Sequence, residues 1–134
     1  MPSSRLFTRP QFWFGAVGLW FAVLFVLSSI SLALPPGPQI THIDKVEHTL
    51  YFMAGSTCLH LGLRLFKPRW GFLFALGLTV LFCALVGAFD EFHQTFTPNR
   101  SGNDPGDWLA DVVGGFIGSF IGTFLYSRLK LKAA

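Results

Sequence analysis

One long uncharged stretch limits what this chain can fold into more than any other feature. Residues 10–41 contain no Asp, Glu, Lys, Arg or His. A transmembrane helix needs about 20 consecutive, mainly apolar residues, and this stretch is longer than that. A secretory signal peptide has a shorter apolar core of about 7 to 15 residues. We therefore predict an uncleaved membrane-spanning helix over residues 12–34, ended by the prolines at positions 35, 36 and 38.

Three more segments have the length and apolar character of spans, although the first of them also carries charged residues at its ends. They cover residues 46–66, 70–89 and 108–126. With 51% hydrophobic and 13% charged residues in 134, the chain has little left over for a soluble domain. The sequence predicts an all-α, integral membrane four-helix bundle. Its predicted parts are an N-terminal segment (1–11), a single membrane domain (12–126) and a basic tail (127–134).

The charged residues divide between the two ends of this bundle. Eight of the ten Lys and Arg residues lie at one end, which we call the basic end. Lys45, Arg100 and all seven acidic residues lie at the other, the acidic end. Basic residues in short loops are retained on the cytoplasmic side, so both termini are predicted to be cytoplasmic. Because the basic residues form no single patch, we expect membrane lipids and no nucleic acid as partners.

Polar residues from three segments flank the spans at the acidic end. If a helix begins near Asp44, then Asp44, His48 and Tyr51 share one face, and Asp107 and Asp111 repeat the four-residue spacing. Because the spans that carry these residues all reach the same surface, we expect them to form one extracytoplasmic polar pocket. The candidate pocket residues are Asp44, Lys45, His48, Tyr51, Asp90, Glu91, Gln94, Arg100, Asp107 and Asp111.

The chemistry of this pocket has two interpretations. Charges at the membrane surface or below it normally pair or line a wet cavity, which favours a structural or ligand-binding network. The alternative is a divalent metal, held by carboxylates with a histidine, that activates water against a phosphate-containing lipid. The sequence contains no pair of histidines at metal-site spacing, no Gly-rich phosphate loop and no serine nucleophile motif. We prefer the network, and enzymatic activity stays open.

A stripe of glycines marks one face of the last predicted span. Gly114, Gly118 and Gly122 recur every four residues. Small residues at this spacing allow two helix backbones to approach closely. The partner is either another span of the same chain, which we favour, or a second copy in a homo-oligomer.

The polar motifs together resemble the VanZ-like family. They are Asp44-Lys45-x-x-His48, Asp90-Glu91-x-x-Gln94, Arg100 and Asp107-x-x-x-Asp111, and the resemblance extends over residues 43–118. Two features depart from the family pattern: Asp111 stands where Asn is frequent, and the Arg100 to Asp107 spacing is slightly expanded.

The resemblance implies a small multi-pass protein of the bacterial inner membrane. The family is named after a member associated with resistance to teicoplanin. Together with the predicted sidedness, this implies a pocket that binds or acts on cell-envelope lipid, a peptidoglycan precursor or a glycopeptide-related ligand. A metal-dependent hydrolase of phosphate-containing lipids and a structural subunit of a membrane complex are the alternatives.

Overall fold

The computed structural model describes residues 4–31 and 42–133, which form five α-helices and no strand. The helices are α1 (Ser4–Phe7), α2 (Pro10–Ser28), α3 (Ile43–Phe66), α4 (Phe72–Gln94) and α5 (Pro105–Ala133). The predicted all-α membrane bundle is confirmed. The last residues of the first predicted span and the prolines expected to end it lie outside the described residues.

Among the described helices, three have the length and apolar composition to cross a membrane. They are α2, α4 and the part of α5 from Pro105 to Leu131. The remaining long helix, α3, has 24 residues and carries Asp44, Lys45, Glu47 and Arg64. It packs against α2, α4 and α5. Because its neighbours cover much of its surface, α3 does not need the uniformly apolar composition of a lipid-facing helix.

The helix ends differ from the predicted span ends. Helix α2 ends at Ser28, where residues up to 34 were predicted, and α4 continues to Gln94, where the prediction stopped at residue 89. Asp90 and Glu91, which were expected to flank the span of residues 70–89, lie on the last turns of this helix. Apolar composition identifies the part of a helix that faces lipid. It does not identify a buried polar turn at the end of the same helix.

The glycine stripe of α5 lies against α3 of the same chain. A Cβ atom at Gly114 would overlap the carbonyl oxygen of Thr49, and one at Gly118 would overlap the hydroxyl of Ser56. At Gly122 a Cβ would lie 3.0 Å from the carbonyl oxygen of Thr57. The two helices are so close that the Ser56 hydroxyl donates a hydrogen bond to the Gly114 carbonyl, at 3.1 Å.

Helix α2 is held against α3 by an aromatic pair. The Trp20 indole N–H donates to the Tyr51 carbonyl at 3.0 Å, and the Tyr51 hydroxyl donates to the Trp20 carbonyl at 2.8 Å. Their rings stack with centroids 5.5 Å apart. Trp20 also covers Gly55, where a side chain would collide with the indole ring. This reciprocal contact fixes α2 beside the helix that carries four of the ten predicted pocket residues.

Candidate functional site

A cavity of about 200 Å³ opens at the acidic end, between α2, α3, α4 and the loop of residues 95–104. Its apolar wall includes Leu24 and Leu27 of α2 and Phe52 of α3. The polar lining consists of Ser28, Glu47, His48, Tyr51, Asp90, Gln94 and Arg100. The cavity is therefore amphipathic, with both aliphatic and ionisable side chains in contact with one space.

The loop that borders this cavity folds back onto the end of α4. The backbone N–H of Asn103 donates to the Glu91 carbonyl at 3.1 Å, and that of Asp104 donates to Glu91 Oε2 at 2.7 Å. Gly102 lies so close that a Cβ would be 2.5 Å from the same carbonyl oxygen. Asn99 and Asn103 adopt positive φ angles of 60° and 63°, which asparagine tolerates better than most residues. These contacts bury Glu91 beneath the loop.

The same loop satisfies the last carbonyl groups of α2, which lack partners within the helix. Thr97 donates its hydroxyl to the Ser28 carbonyl at 2.8 Å, and Arg100 donates from Nη2 to the Leu27 carbonyl at 3.0 Å. This capping by a distant segment gives a physical reason for the end of α2 at Ser28. It also places the Arg100 guanidinium at the cavity.

Lys45 is the centre of an ion cluster beside the cavity. Its Nζ lies 2.8 Å from Asp107, 3.1 Å from Asp104 and 3.2 Å from Asp44. The hydrogen bonds to Asp107 and Asp104 raise the pKa of Lys45 above its ordinary value. The hydrogen bond from Lys45 also lowers the pKa of Asp104. The cluster joins the start of α3 to the start of α5.

The lowered pKa of Asp104 predicts a stability change at acidic pH. A carboxyl whose pKa is lower in the folded protein stabilises it above the unfolded pKa of about 4, and this stabilisation is lost as pH falls through the folded value. We therefore expect the thermal midpoint of the detergent-solubilised protein to fall below about pH 4, with a shallower fall in Asp104→Asn. Parallel curves for the two proteins would show that Lys45 does not stabilise the charged form of Asp104.

His48 and Asp111 form a second polar pair between α3 and α5. His48 Nδ1 lies 2.9 Å from Asp111 Oδ1, and Asp111 is 0% exposed. Gly87 of α4 makes room for this carboxylate, because a Cβ there would be 2.5 Å from Asp111 Oδ2. That Oδ2 atom is buried without a hydrogen-bond partner among residues 4–31 and 42–133. Asp111 therefore orients the imidazole at the cavity wall.

The end of α4 contributes three buried polar side chains. Asp90 accepts a hydrogen bond at 2.7 Å from Gln94 Nε2. Glu91 uses Oε2 for the loop N–H of Asp104, while its Oε1 is buried with no partner in the described part of the chain. One ligand-type atom from each of His48, Asp90 and Glu91 lies within 4.8 Å of the other two.

The structure places the ten residues predicted for the pocket in three neighbouring groups. His48, Tyr51, Asp90, Gln94 and Arg100 line the cavity itself. Asp44, Lys45 and Asp107 belong to the ion cluster, and Asp111 and Glu91 lie behind the cavity wall as partners of His48 and the loop. The Tyr51 hydroxyl already donates to the Trp20 carbonyl of α2, so Tyr51 contributes its ring to the cavity lining.

Sequence reasoning left several site residues out of the pocket. Glu47 lines the cavity and Asp104 belongs to the ion cluster. Their positions gave a usable signal: Glu47 precedes His48, and Asp104 lies one turn before Asp107 at the start of α5. Leu24 and Leu27 could not be recognised as cavity residues from the sequence, since they are apolar residues inside an apolar span. Their role depends on where α2 packs.

Comparison with known proteins agrees with the motifs at this site. No curated protein and no solved structure matches the chain significantly. The family model described as VanZ/LLP1 matches residues 12–126, which include most of each of the four long helices and every residue of the candidate site. The resemblance drawn from the motifs is thus confirmed, and the chain belongs to the VanZ/LLP1 family.

Proposed function

We propose that the amphipathic cavity binds the phosphate-containing headgroup of a cell-envelope lipid or of a lipid-linked peptidoglycan precursor. The observation that carries this proposal is the joining of an aliphatic wall and an ionisable wall in one space of about 200 Å³. Leu24 and Leu27 suit the first methylenes of a lipid chain, while Arg100 and the polar ends of α3 and α4 suit its headgroup.

The distribution of charge supports a position at the extracytoplasmic face of a bacterial inner membrane. Eight of the ten Lys and Arg residues lie at the end of the bundle opposite the cavity. By the positive-inside rule that end is cytoplasmic, together with both termini. This orientation requires α3 to act as a fourth crossing beside the three apolar helices, and its central position in the bundle supports that role.

Arg100 is the residue we assign to the phosphate. One of its N–H groups donates to the Leu27 carbonyl, which leaves other donors of the planar guanidinium for a ligand. Arginine matches phosphate oxygens in geometry as well as in charge. Because Glu47 and Asp90 line the same cavity, a headgroup that brings a cation with its phosphate fits better than a bare anion.

Hydrolysis of the same lipid is the second candidate function. The observation that favours it is the His48–Asp111 pair at 2.9 Å, an arrangement that orients an imidazole for acid–base work. Binding and hydrolysis differ in whether a product accumulates. A role in glycopeptide (teicoplanin) resistance would follow if the ligand is the precursor lipid rather than bulk phospholipid.

A structural subunit is less well supported by the packing. Gly114, Gly118 and Gly122 are buried against α3 of the same chain, so a second copy would have to use another surface. We therefore place the function in the cavity.

The proposal is tested by lipid binding to the full chain in detergent, measured by native mass spectrometry. The probes are phosphatidylethanolamine and undecaprenyl phosphate, each compared with a phosphate-free counterpart, diacylglycerol and undecaprenol. We expect the phosphate-bearing member of one pair to bind about 10-fold more tightly, and Arg100→Gln to remove most of that preference. The pair that shows the preference identifies the lipid class.

Arg128→Gln is the matched control, because Arg128 is an exposed arginine at the basic end that lies over the Phe124 ring. It is expected to leave the phosphate preference unchanged. Equal binding of all four lipids by the wild type would contradict the proposal. So would equal losses in Arg100→Gln and Arg128→Gln, which would indicate attraction to the general charge of the protein. Release of a dephosphorylated lipid during incubation would show that the protein hydrolyses the lipid, which is the second candidate function.

A further inference from the structure

Two groups of acidic residues at the acidic end differ in how their charge is balanced. The group of Asp44, Asp104 and Asp107 surrounds Lys45, whose Nζ lies within 3.2 Å of an oxygen of each. In the described part of the chain, neither Asp90 nor Glu91 forms an ion pair with a lysine or arginine. One group therefore contains its own cation, and the other does not.

The unbalanced group is also the more deeply buried. Asp90 is 2% exposed and Glu91 is 4% exposed. Asp90 receives a hydrogen bond from Gln94, but Glu91 Oε1 has no donor among the described residues. A buried carboxylate oxygen is unfavourable unless a hydrogen-bond donor or a cation compensates it. This unpartnered oxygen belongs to the side chain that approaches both His48 and Asp90.

The spacing of these side chains is close to that of a metal site. One ligand-type atom from each of His48, Asp90 and Glu91 lies within 4.8 Å of the others. Two ligands bound at about 2.1 Å to one ion are separated by at most about 4.2 Å, so only a small side-chain adjustment is needed.

The histidine is already arranged as a metal ligand would be. Its Nδ1 is bonded to Asp111, which leaves Nε2 as the available nitrogen. In metal sites, a ligand histidine usually donates its other ring N–H to a carboxylate or carbonyl in this way. Asp111 is thus the positioning residue for His48. This role gives a reason for a fully buried carboxylate at this position.

We propose that His48, Asp90 and Glu91 bind one divalent transition-metal ion, such as Mn²⁺ or Zn²⁺. A mixed set of one imidazole and two carboxylates suits these ions. Three protein ligands leave coordination positions open, as in catalytic rather than structural sites. Because His48 and Asp90 line the cavity, the open positions are accessible from it. The metal site does not depend on the lipid proposal, and its test contains no lipid.

The test measures metal uptake by the purified full chain in detergent. The protein is treated with a chelator, incubated with Mn²⁺ or Zn²⁺, separated from free ions by gel filtration and measured by elemental mass spectrometry. We expect about one ion per chain in the wild type, with at least about 10-fold weaker binding in Asp90→Asn and Glu91→Gln. Asp44→Asn is the matched control: it removes a carboxylate from the lysine-balanced group and should leave uptake unchanged.

A thermal scan separates loss of the site from loss of the fold. Bound metal stabilises the folded state, so the wild type and Asp44→Asn are expected to gain thermal stability with metal. The Asp90→Asn and Glu91→Gln proteins should unfold cooperatively yet show no such gain. Wild-type protein that takes up no metal overturns the proposal, whatever the variants do. Uptake that is lost in Asp44→Asn and retained in Glu91→Gln also overturns it, because the ion would then lie in the other group.

Discussion

Gly118→Leu is expected to destabilise the bundle by about 3 kcal/mol, a large part of the free energy of unfolding of an ordinary protein domain. Even a Cβ at this position would overlap Ser56 Oγ and would lie 3.0 Å from the backbone nitrogen of Thr57. These are atoms of a helix backbone and a short side chain, which cannot move aside independently. To accommodate leucine, α5 must move away from α3 and lose the contact along the whole glycine stripe.

The measurement is the unfolding midpoint in mixed micelles as the fraction of sodium dodecyl sulfate is raised. Gly77→Leu is the matched control, since Gly77 is an exposed glycine of α4 with no atom within 4 Å of a Cβ. It should shift the free energy of unfolding by less than about 1 kcal/mol. If both leucine variants unfold at the same point, α3 and α5 do not pack through the stripe.

Asp111→Ala is expected to lower the free energy of unfolding by about 2 to 3 kcal/mol. The change removes a fully buried carboxylate, leaves a cavity beside Gly87 and deprives His48 of its hydrogen-bond partner. Asp111→Asn keeps the volume and an oxygen that can accept from His48, so it should retain most of the stability. The same micelle titration compares the two variants.

Asp44→Ala serves as the control for Asp111→Ala, because Asp44 is an acidic residue of the same end whose side chain is 54% exposed. An exposed ion pair contributes little to stability, and we expect a change below about 1 kcal/mol. A loss in Asp111→Ala that is no larger than the loss in Asp44→Ala would show that the His48–Asp111 pair does not hold α3 to α5.

The number of long helices could be predicted from the sequence, but their ends could not. Residues 70–89 are apolar because they face lipid or other helices, and this property identifies α4. The helix nevertheless continues to Gln94, because the loop of residues 95–104 that follows it folds back and covers Glu91. Similarly, α2 ends at Ser28 because Thr97 and Arg100 bond to its last carbonyl groups. Both effects depend on tertiary contacts.

In the candidate site, too, the sequence predicts local features but not those that depend on tertiary contacts. Helical spacing places Asp44 near His48 and Asp107 near Asp111, so the sequence predicts which residues share a face. It does not predict which acid pairs with which base, because that depends on how α3 and α5 align along their axes. The structure pairs Lys45 with Asp107 and His48 with Asp111. The unpartnered oxygen of Glu91 depends on the loop path and had no signal in the sequence.

The glycine stripe does not by itself fix how α5 is aligned along α3, and the Lys45–Asp107 and His48–Asp111 pairs do. Since Gly114, Gly118 and Gly122 repeat every four residues, sliding α5 along α3 by about 6 Å would place one glycine where another had been. Close packing alone would discriminate weakly between these alignments. In a shifted alignment, Lys45 and His48 would no longer meet Asp107 and Asp111. The polar pairs at the acidic end therefore set the register of α3 against α5: they select one of the several alignments that the glycines permit.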